Sequence, residues 1–335
     1  MRLITLLALL CLTACAKDLT GTEPISNLHN LTAPKITYLG VGGWLLYWKG
    51  EGLLLAPSFT NPAFPPLRVV ADPTRINQYM PPAPNTKILL VGHGHYDHLL
   101  DVPWVLQHQA PDAYAYGNTT VGRLLRTTPV SARFINVERK MARVNCRTAD
   151  CYQAHPEQWT QVGHIRFMAI ESQHAPHTAG INLLEGGPGP AAPTALPTYV
   201  RSWKQGTTLA FLIDLLADDG KTPVYRIHYQ DSASNPPYGF PPLMPDGKRV
   251  DIAIICAAST NQVEQYPQAL LRYLQPRLLL MGHWEDFFGN DLRHTPQLLR
   301  LQKIDDLLAN LDKGFPDLPK VMPYPLSDVA LPAPE

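Results

Sequence analysis

The feature that most restricts the fold of this chain is an apolar run at residues 87–91 that leads into a cluster of metal-ligating side chains. A short apolar run bounded by polar residues is typical of a buried strand. The cluster consists of His93, Gly94, His95, Tyr96, Asp97 and His98. Because residues two apart project to the same side of an extended segment, His93 and His95 can reach one metal ion. Asp97 and His98 lie past the bend and can reach a second ion beside it. Imidazole suits zinc, and a carboxylate beside it also tolerates iron or manganese.

The rest of the chain alternates strand-like and helix-like segments in two halves of similar style. In the first half we predict strands at 36–39, 44–48, 53–56 and 87–91, and helices at 101–109 and 120–126. In the second half we predict strands at 164–170, 208–215, 224–229, 250–255 and 277–281, and helices at 262–274 and 295–313. The strands 208–215 and 224–229 are joined by a hairpin turn at 217–220. Thr295 and Pro296 have the residue types of a helix start. By itself this periodicity predicts only a mixed α/β chain.

The pattern His-x-His-x-Asp-His resembles the signature of the metallo-β-lactamase superfamily, and the later motifs of that family follow in order. They are Glu171-Ser172-Gln173-His174, Tyr229-Gln230-Asp231-Ser232 and Met281-Gly282-His283-Trp284, and each ends a predicted strand. The resemblance covers about residues 36–288. It implies an α/β fold in the form of a four-layer αββα sandwich, with two facing sheets and helices outside them.

The resemblance also implies a dinuclear metal centre with seven ligands, and two divalent ions, zinc by expectation, as cofactors. The first ion would be held by His93, His95 and His174, the second by Asp97, His98 and His283, and Asp231 would bridge the two. His177 competes with His174 for its role, and we favour His174 because it directly ends the predicted strand. Asp97 would also orient the attacking hydroxide. Two divalent ions, the carboxylates of Asp97 and Asp231 and a hydroxide together carry a net charge of about +1, which favours anionic substrates.

Within the superfamily, the sequence looks most like the branch of the N-acyl-phosphatidylethanolamine phospholipase D enzymes and the ascorbate-phosphate lactonases. Shared elements are the segment 39–44, the Leu-Leu-Asp101 that follows the histidine cluster, Ser-Gln-His and His-Trp. The branch has Asp-Pro after the first hairpin, where this chain has Ala56-Pro57; Asp72-Pro73 is a later substitute. The branch implies hydrolysis of a phosphodiester, a lactone or a related ester. The alternatives are a mononuclear iron oxygenase on the same fold and a non-catalytic binding lipoprotein.

The N-terminus has the composition of an export signal. Arg2 precedes an apolar stretch at 3–12, which is shorter than the roughly 20 residues needed to span a bilayer. Leu12-Thr13-Ala14-Cys15 resembles the lipobox of bacterial lipoproteins, in which Cys15 would be acylated. Ala16, rather than Asp, follows the cysteine, so we expect anchoring to the outer membrane, facing the periplasm. We therefore predict a signal peptide with lipobox at 1–15, a tether at 16–34, a domain with the metallo-β-lactamase fold at 35–320 and a C-terminal tail at 321–335.

Composition and the remaining motifs restrict the partners. Lys+Arg and Asp+Glu number 28 each, so the chain lacks the basic excess of a nucleic-acid binder. A proline-rich loop at 234–248 carries Tyr238 and Phe240; with Trp284 they are candidates for contact with a small-molecule or lipid-like anionic substrate. Cys146 and Cys151 flank a polar turn and are candidates for a disulfide in an oxidising compartment. Cys256 lies in an apolar run, which indicates a buried structural thiol.

Overall fold

A computed structural model describes residues 15–144, 152–177, 180–187 and 193–335. The predicted signal before Cys15 lies outside these ranges, as do Cys146 and Cys151, so their disulfide stays a prediction. In the part of the chain that is described, no helix has the length and apolar character needed to cross a membrane.

The described strands form two sheets. The first has eight strands, in the order β1-β14-β13-β12-β11-β10-β9-β8. Its members are β1 (Ile25–Ser26), β8 (Trp159–Val162), β9 (Ile165–Ser172), β10 (Thr208–Leu216), β11 (Pro223–Tyr229), β12 (Ile252–Cys256), β13 (Leu278–Gly282) and β14 (Lys320–Pro323). The second has seven strands, in the order β15-β2-β3-β4-β5-β6-β7. Its members are β2 (Lys35–Gly40), β3 (Gly43–Trp48), β4 (Glu51–Leu55), β5 (Thr86–Leu90), β6 (Tyr114–Gly117), β7 (Phe134–Asn136) and β15 (Asp328–Ala330).

Alternation along the central strands of the second sheet shows that both its faces are covered. Leu53 and Leu55 of β4 belong to the core between the two sheets, whereas Leu54 belongs to a second core on the outer face. On β5, Leu90 likewise points to the first core and Leu89 to the second. Successive side chains of a strand point to opposite faces, so a strand covered on both sides is apolar throughout.

Helices cover the outer faces of both sheets. On the second sheet they are Pro73–Tyr79, Tyr96–Leu99, Val102–His108 and Thr119–Leu125, and on the first sheet they are Gln268–Leu274 and Ile304–Gly314. The helix Gln268–Leu274 connects the parallel strands β12 and β13. The predicted four-layer αββα sandwich is therefore confirmed, as are the antiparallel hairpin of β10 with β11 and the meander of β2, β3 and β4.

The predicted helix at 295–313 is wrong in its first half, since the helix begins only at Ile304. The N–H of Leu298 donates to the carbonyl of Lys17 at 2.8 Å, and the N–H of Leu299 donates to that of Trp284 at 2.9 Å. Because neighbouring segments take these backbone groups, residues 297–299 are extended. Leu298, Leu301, Ile304, Leu308 and Leu311 follow a helical period in the sequence, but the first two precede the helix and only the last three belong to it.

The structure also pairs parts of the predicted tether and tail with the two sheets. In the tether, β1 pairs with β14, and Glu23 is buried. In the tail, β14 pairs with β13 of the first sheet and β15 pairs with β2 of the second. Backbone pairing and burial of Met322, Val329 and Leu331 in the core hold these segments, and neither leaves a clear apolar period in the sequence.

Candidate metal centre

The seven predicted ligands come together at one edge of the sandwich. Four strands point to this edge with their C-terminal ends, and the ligand motifs follow directly: His93 after β5, His174 after β9, Asp231 after β11 and His283 after β13. Strands β11, β12 and β13 are parallel, and β9 has the same direction because β10 is antiparallel to both β9 and β11. The topology thus brings residues almost 200 positions apart to one site.

Three overlapping groups of side chains have ligand atoms that all lie within 4.8 Å of one another: His93, His95, His174; His93, His98, Asp231; and Asp97, His98, His283. The Nδ1 of His93 lies 3.1 Å from Oδ1 of Asp231, and the Nε2 of His283 lies 3.2 Å from Oδ2 of Asp97. The groups divide as the resemblance implies, with three histidines at one end, Asp97, His98 and His283 at the other, and Asp231 between them.

Two glycines allow the ligands to approach the backbone. A Cβ on Gly92 would lie 2.4–2.6 Å from the carboxylate of Asp231, and the Gly92 N–H donates to that carboxylate at 3.2 Å. A Cβ on Gly42 would lie 2.6 Å from Nδ1 of His98. Any larger residue at either position would displace a ligand, so the site requires glycine there.

The structure separates the roles of His174 and His177. His174 belongs to the first ligand group, and its Nδ1 donates to the carbonyl of Ala175 at 2.6 Å, which leaves Nε2 directed at His93 and His95. The ring of His177 stacks on that of His174 with centroids 5.0 Å apart and lines the cavity without joining a ligand group. These contacts support His174 as the ligand and place His177 at the wall.

Burial sets the protonation of the cluster. Burial, together with repulsion from neighbouring imidazoles, lowers the pKa of His95 and His174 well below the usual value, and it lowers the pKa of His98 to about 4. Burial opposes ionisation of Asp97, but attraction to His98 and His283 outweighs it and holds the Asp97 pKa well below its usual range. Neutral imidazoles and ionised carboxylates are the forms that bind metal.

Unpartnered polar atoms test whether these residues fit a pair of metal ions. Nδ1 of His98 and Nδ1 of His283 are buried and have no hydrogen-bond partner among the described residues. A buried nitrogen without a partner costs free energy, and ligation would remove that cost for atoms facing an ion. The five imidazoles and two carboxylates have the donor types that zinc takes. The donor set therefore fits two divalent ions.

The conformation of His283 depends on two residues that sequence reasoning missed. His283 has a φ of 57°, in the left-handed region that costs free energy for residues with a Cβ. Its N–H donates to the carbonyl of Val41 at 2.7 Å and to the hydroxyl of Tyr38 at 2.9 Å. The carboxylate of Glu285 accepts from the Tyr38 hydroxyl at 2.5 Å and from the N–H of Val41 at 2.6 Å. Glu285 directly follows a ligand motif, but only the fold shows its contact with Tyr38.

The cavity above the cluster has a volume of about 470 Å³. The ligands form its floor, and apolar side chains form much of its walls: Phe64, Leu183, Leu184, Val200, Phe287, Phe288, Leu299 and Leu301. Cys256 also lines it, so this thiol is buried as expected but lies beside the ligands, and burial raises its pKa. A pocket of this size and lining is typical of a small-molecule site.

The structure does not place Tyr238, Phe240 or Trp284, the predicted substrate contacts, in the lining of the cavity. Trp284 is fully buried and donates to the carbonyl of Pro323, away from the cavity. The loop with Tyr238 and Phe240 packs against the core, and the ring of Phe240 contacts that of Tyr273. Besides Tyr96 of the histidine motif, Phe64, Phe287 and Phe288 line the cavity, and the sequence did not single out these three because they belong to no motif.

Asp72, the substitute for the missing Asp-Pro of the branch, also lies elsewhere. It caps the helix Pro73–Tyr79, and its carboxylate accepts from the N–H of Arg75 at 3.1 Å. The nearby buried carboxylate is that of Asp101, which accepts from the N–H groups of Phe59 and Thr60 at 2.6 and 2.7 Å. Asp101 thereby ties the segment after β4 to the histidine loop.

No protein-family model matches the chain, and no curated protein matches it either. Solved structures do match. The isothiocyanate hydrolase from Delia radicum gut bacteria aligns with a TM-score of 0.50 and 12% identity, over 89% of this chain and 99% of that one. The metallo-β-lactamase fold protein YhfI from Bacillus subtilis aligns with a TM-score of 0.48 and 13% identity, over 88% and 98%. The diiron β-hydroxylase CmlA from Streptomyces venezuelae aligns with a TM-score of 0.48 and 12% identity, over 92% of this chain and 55% of that one.

At such low identity the likeness concerns the fold alone. The two facing sheets and the helices outside them agree with it. The chain has the αββα metallo-β-lactamase fold.

Proposed function

We propose that this protein is a metal-dependent hydrolase that uses two divalent ions, zinc in the native enzyme, to cleave a phosphodiester, a lactone or a related ester. One observation carries the proposal: seven ligands from four separate segments converge in three groups with ligand atoms within 4.8 Å. A binding protein without catalysis has no need of this full set.

Bound divalent ions lower the pKa of a water molecule and polarise the bond under attack. The residues of the chain hold and orient the reactants. Asp97 lines the cavity, and its Oδ2 lies 3.2 Å from Nε2 of His283 and 3.6 Å from Nε2 of His98. From there its carboxylate can accept a hydrogen bond from the attacking water and fix the direction of its lone pair. Asp231 holds the two ligand groups together.

The side chains that line the cavity restrict the chemical class of the substrate. Asp97 and Asp231 are the acidic side chains among the described residues that line the cavity, and both belong to the ligand set. Beyond them Phe64, Phe288 and Leu299 form an apolar wall. This arrangement suits an anionic or ester group at the floor with an apolar group above it, that is, a small-molecule or lipid-like substrate.

The test combines metal analysis with a screen of hydrolase probes. Protein purified without added metal should contain about two zinc ions per chain, and it should hydrolyse at least one of a set of phosphodiester, lactone and β-lactam probes. Iron in place of zinc, with oxygen uptake and no hydrolysis, would identify the iron oxygenase instead. Zinc without turnover of any probe would leave a binding protein and contradict the proposal.

Asp97→Ala should lower hydrolysis by at least about 100-fold, as expected for loss of a proton acceptor, without loss of the folded state. The control is Asp219→Ala, at an exposed turn remote from the cavity, which should retain full activity. Circular dichroism and the unfolding midpoint would show that both variants fold. Full activity in Asp97→Ala would refute the mechanism.

We also propose that the protein is anchored to the outer membrane through acylated Cys15 and faces the periplasm. The lipobox sequence and the exposure of Cys15 support this. Mass spectrometry of the N-terminal peptide from membranes should find acylated Cys15 as the first residue. An unmodified Cys15 behind an intact signal would contradict the proposal.

A further inference from the structure

The mouth of the cavity is bordered by large side chains that solvent reaches. We call this set the rim; it comprises Leu67, Arg68, Leu183, Tyr199, Arg201 and Leu301. The exposed fractions are 71% for Leu67, 59% for Leu183, 45% for Tyr199 and 43% for Leu301. Leu183 and Leu301 line the cavity themselves. Several exposed apolar residues around one opening mark a surface that meets an apolar partner.

The remaining rim residues are held at the mouth by backbone pairing. Arg68 forms a bridge with Tyr199, and the N–H of Val200 donates to the carbonyl of Leu67 at 3.2 Å. Pro66 and Val200, which adjoin these residues in sequence, line the cavity. The pairing joins the loop at residues 66–68 and the loop at residues 199–201 into one surface beside the opening.

The rim carries the positive charges of two arginine side chains, Arg68 and Arg201. The guanidinium groups of Arg68 and Arg201 lie 4.8 and 5.5 Å from the ring centroid of Tyr199. Neither has a carboxylate partner within 4.0 Å among the residues the structure describes. Arg300 in the cavity wall differs, because it pairs with Asp286. Two free guanidinium groups beside exposed leucines and a tyrosine suit a surface of phosphate headgroups over hydrocarbon.

The N-terminal segment reaches the same side of the molecule. Lys17 pairs with Leu298, and Asp18 accepts from the side chain of Gln297 at 2.7 Å. Residues 299–302, which follow in the chain, line the cavity. Cys15 precedes Lys17 by two residues and is therefore at most about 7 Å from it. A lipid attached to Cys15 would therefore extend from the protein surface near residues 299–302 of the cavity wall.

We infer that the rim docks on an anionic lipid bilayer, so that the cavity opens toward the lipid surface. Leu67, Leu183 and Leu301 enter the interface, Tyr199 lies at headgroup level, and the two arginines bind headgroup phosphates. The inference deepens the proposed function, since it makes the surface of the bilayer the source of the substrate. It does not depend on catalysis.

The test is hydrogen–deuterium exchange of the full chain with vesicles that contain phosphatidylglycerol, compared with vesicles of phosphatidylcholine alone. Peptides covering Leu67–Arg68, Leu183 and Tyr199–Arg201 should exchange more slowly with the anionic vesicles. Arg68→Gln and Arg201→Gln should each raise the vesicle concentration for half-maximal protection about fivefold. High salt should have the same effect, because it screens the attraction.

Two exposed residues elsewhere provide matched controls. Arg249 precedes β12 and so lies at the opposite end of that strand from the cavity, and Leu243 is 54% exposed but does not line the cavity. Arg249→Gln and Leu243→Asp should leave protection unchanged, whereas Leu183→Asp should weaken it. Protection elsewhere with the rim unprotected, or equal effects of Arg68→Gln and Arg249→Gln, would overturn the inference. Such a result would leave the hydrolase proposal intact.

Discussion

Replacing Tyr38 by phenylalanine removes one buried oxygen atom that links a metal ligand to Glu285. The hydroxyl donates to Glu285 at 2.5 Å and accepts from the N–H of His283 at 2.9 Å, and Tyr38 is fully buried. The ring would keep its contact with Trp44, since the centroids are 4.5 Å apart. The change therefore tests the hydrogen bonds and leaves packing intact.

The structure gives the size of the effect. Loss of a buried hydrogen bond to a carboxylate costs about 1.5–3 kcal/mol. The N–H of His283 also loses the Tyr38 hydroxyl as an acceptor, but it still donates to the carbonyl of Val41 at 2.7 Å. This second loss therefore adds little to the free-energy cost. We expect the free energy of unfolding of Tyr38→Phe to fall by about 2 kcal/mol. The strained φ of His283 would be held less firmly, and the affinity for the ion at Asp97, His98 and His283 should fall about 10- to 100-fold.

Urea unfolding of chelator-treated protein would measure the first effect, and zinc titration against a chromophoric chelator the second. The control is Asp328→Asn. Asp328 is also a buried carboxylate, and it accepts from Lys35 at 2.6 Å and from Thr37 at 2.7 Å, but it lies on β15 and does not line the cavity. It should lose similar stability with unchanged zinc affinity. If Tyr38→Phe loses stability yet binds both ions as the parent does, the argument is wrong.

Three further outcomes are expected. Gly92→Ala should abolish binding of at least one ion, measured as zinc per chain, because its Cβ would meet the Asp231 carboxylate at about 2.4 Å; two bound ions would refute this. Burial lowers the pKa of His228 to about 4, so protonation favours the unfolded chain. The metal-free parent should therefore lose up to about 3 kcal/mol relative to His228→Gln as pH falls from about 6.5 to 4, and the difference between the two proteins should stay constant above that range; parallel curves throughout would contradict it. Leu212→Ala, in the centre of β10, should lower the free energy of unfolding in urea by about 2–5 kcal/mol. A decrease below about 1 kcal/mol would show instead that neighbouring side chains fill the space left by the leucine.

Much of the site could be predicted from the sequence because its ligands are local in the chain. His93, His95, Asp97 and His98 lie within six residues, and the loop after a strand places them together without help from the rest of the fold. His174, Asp231 and His283 came from the order of family motifs. Their convergence required the parallel alignment of strand ends, which periodicity does not specify.

The differences at the tether, the tail and the start of the predicted helix share one cause. Backbone hydrogen bonds to segments far away in the chain help to place all three, and such bonds are independent of side-chain type. Propensity and periodicity report on side chains and near neighbours. They therefore predict a helix or a free segment where the backbone in fact completes a sheet.

The sequence by itself determined most of the central strands, the hairpin of β10 with β11 and the local cluster of ligand candidates at 93–98. Only the tertiary structure decided which aromatic residues reach the cavity, why His283 needs Tyr38 and Glu285, and that the rim collects exposed leucines and two arginines at one opening. The physical reason is distance along the chain. A contact between residues close in sequence leaves a local pattern, whereas one across some 250 residues exists only after the two sheets have packed.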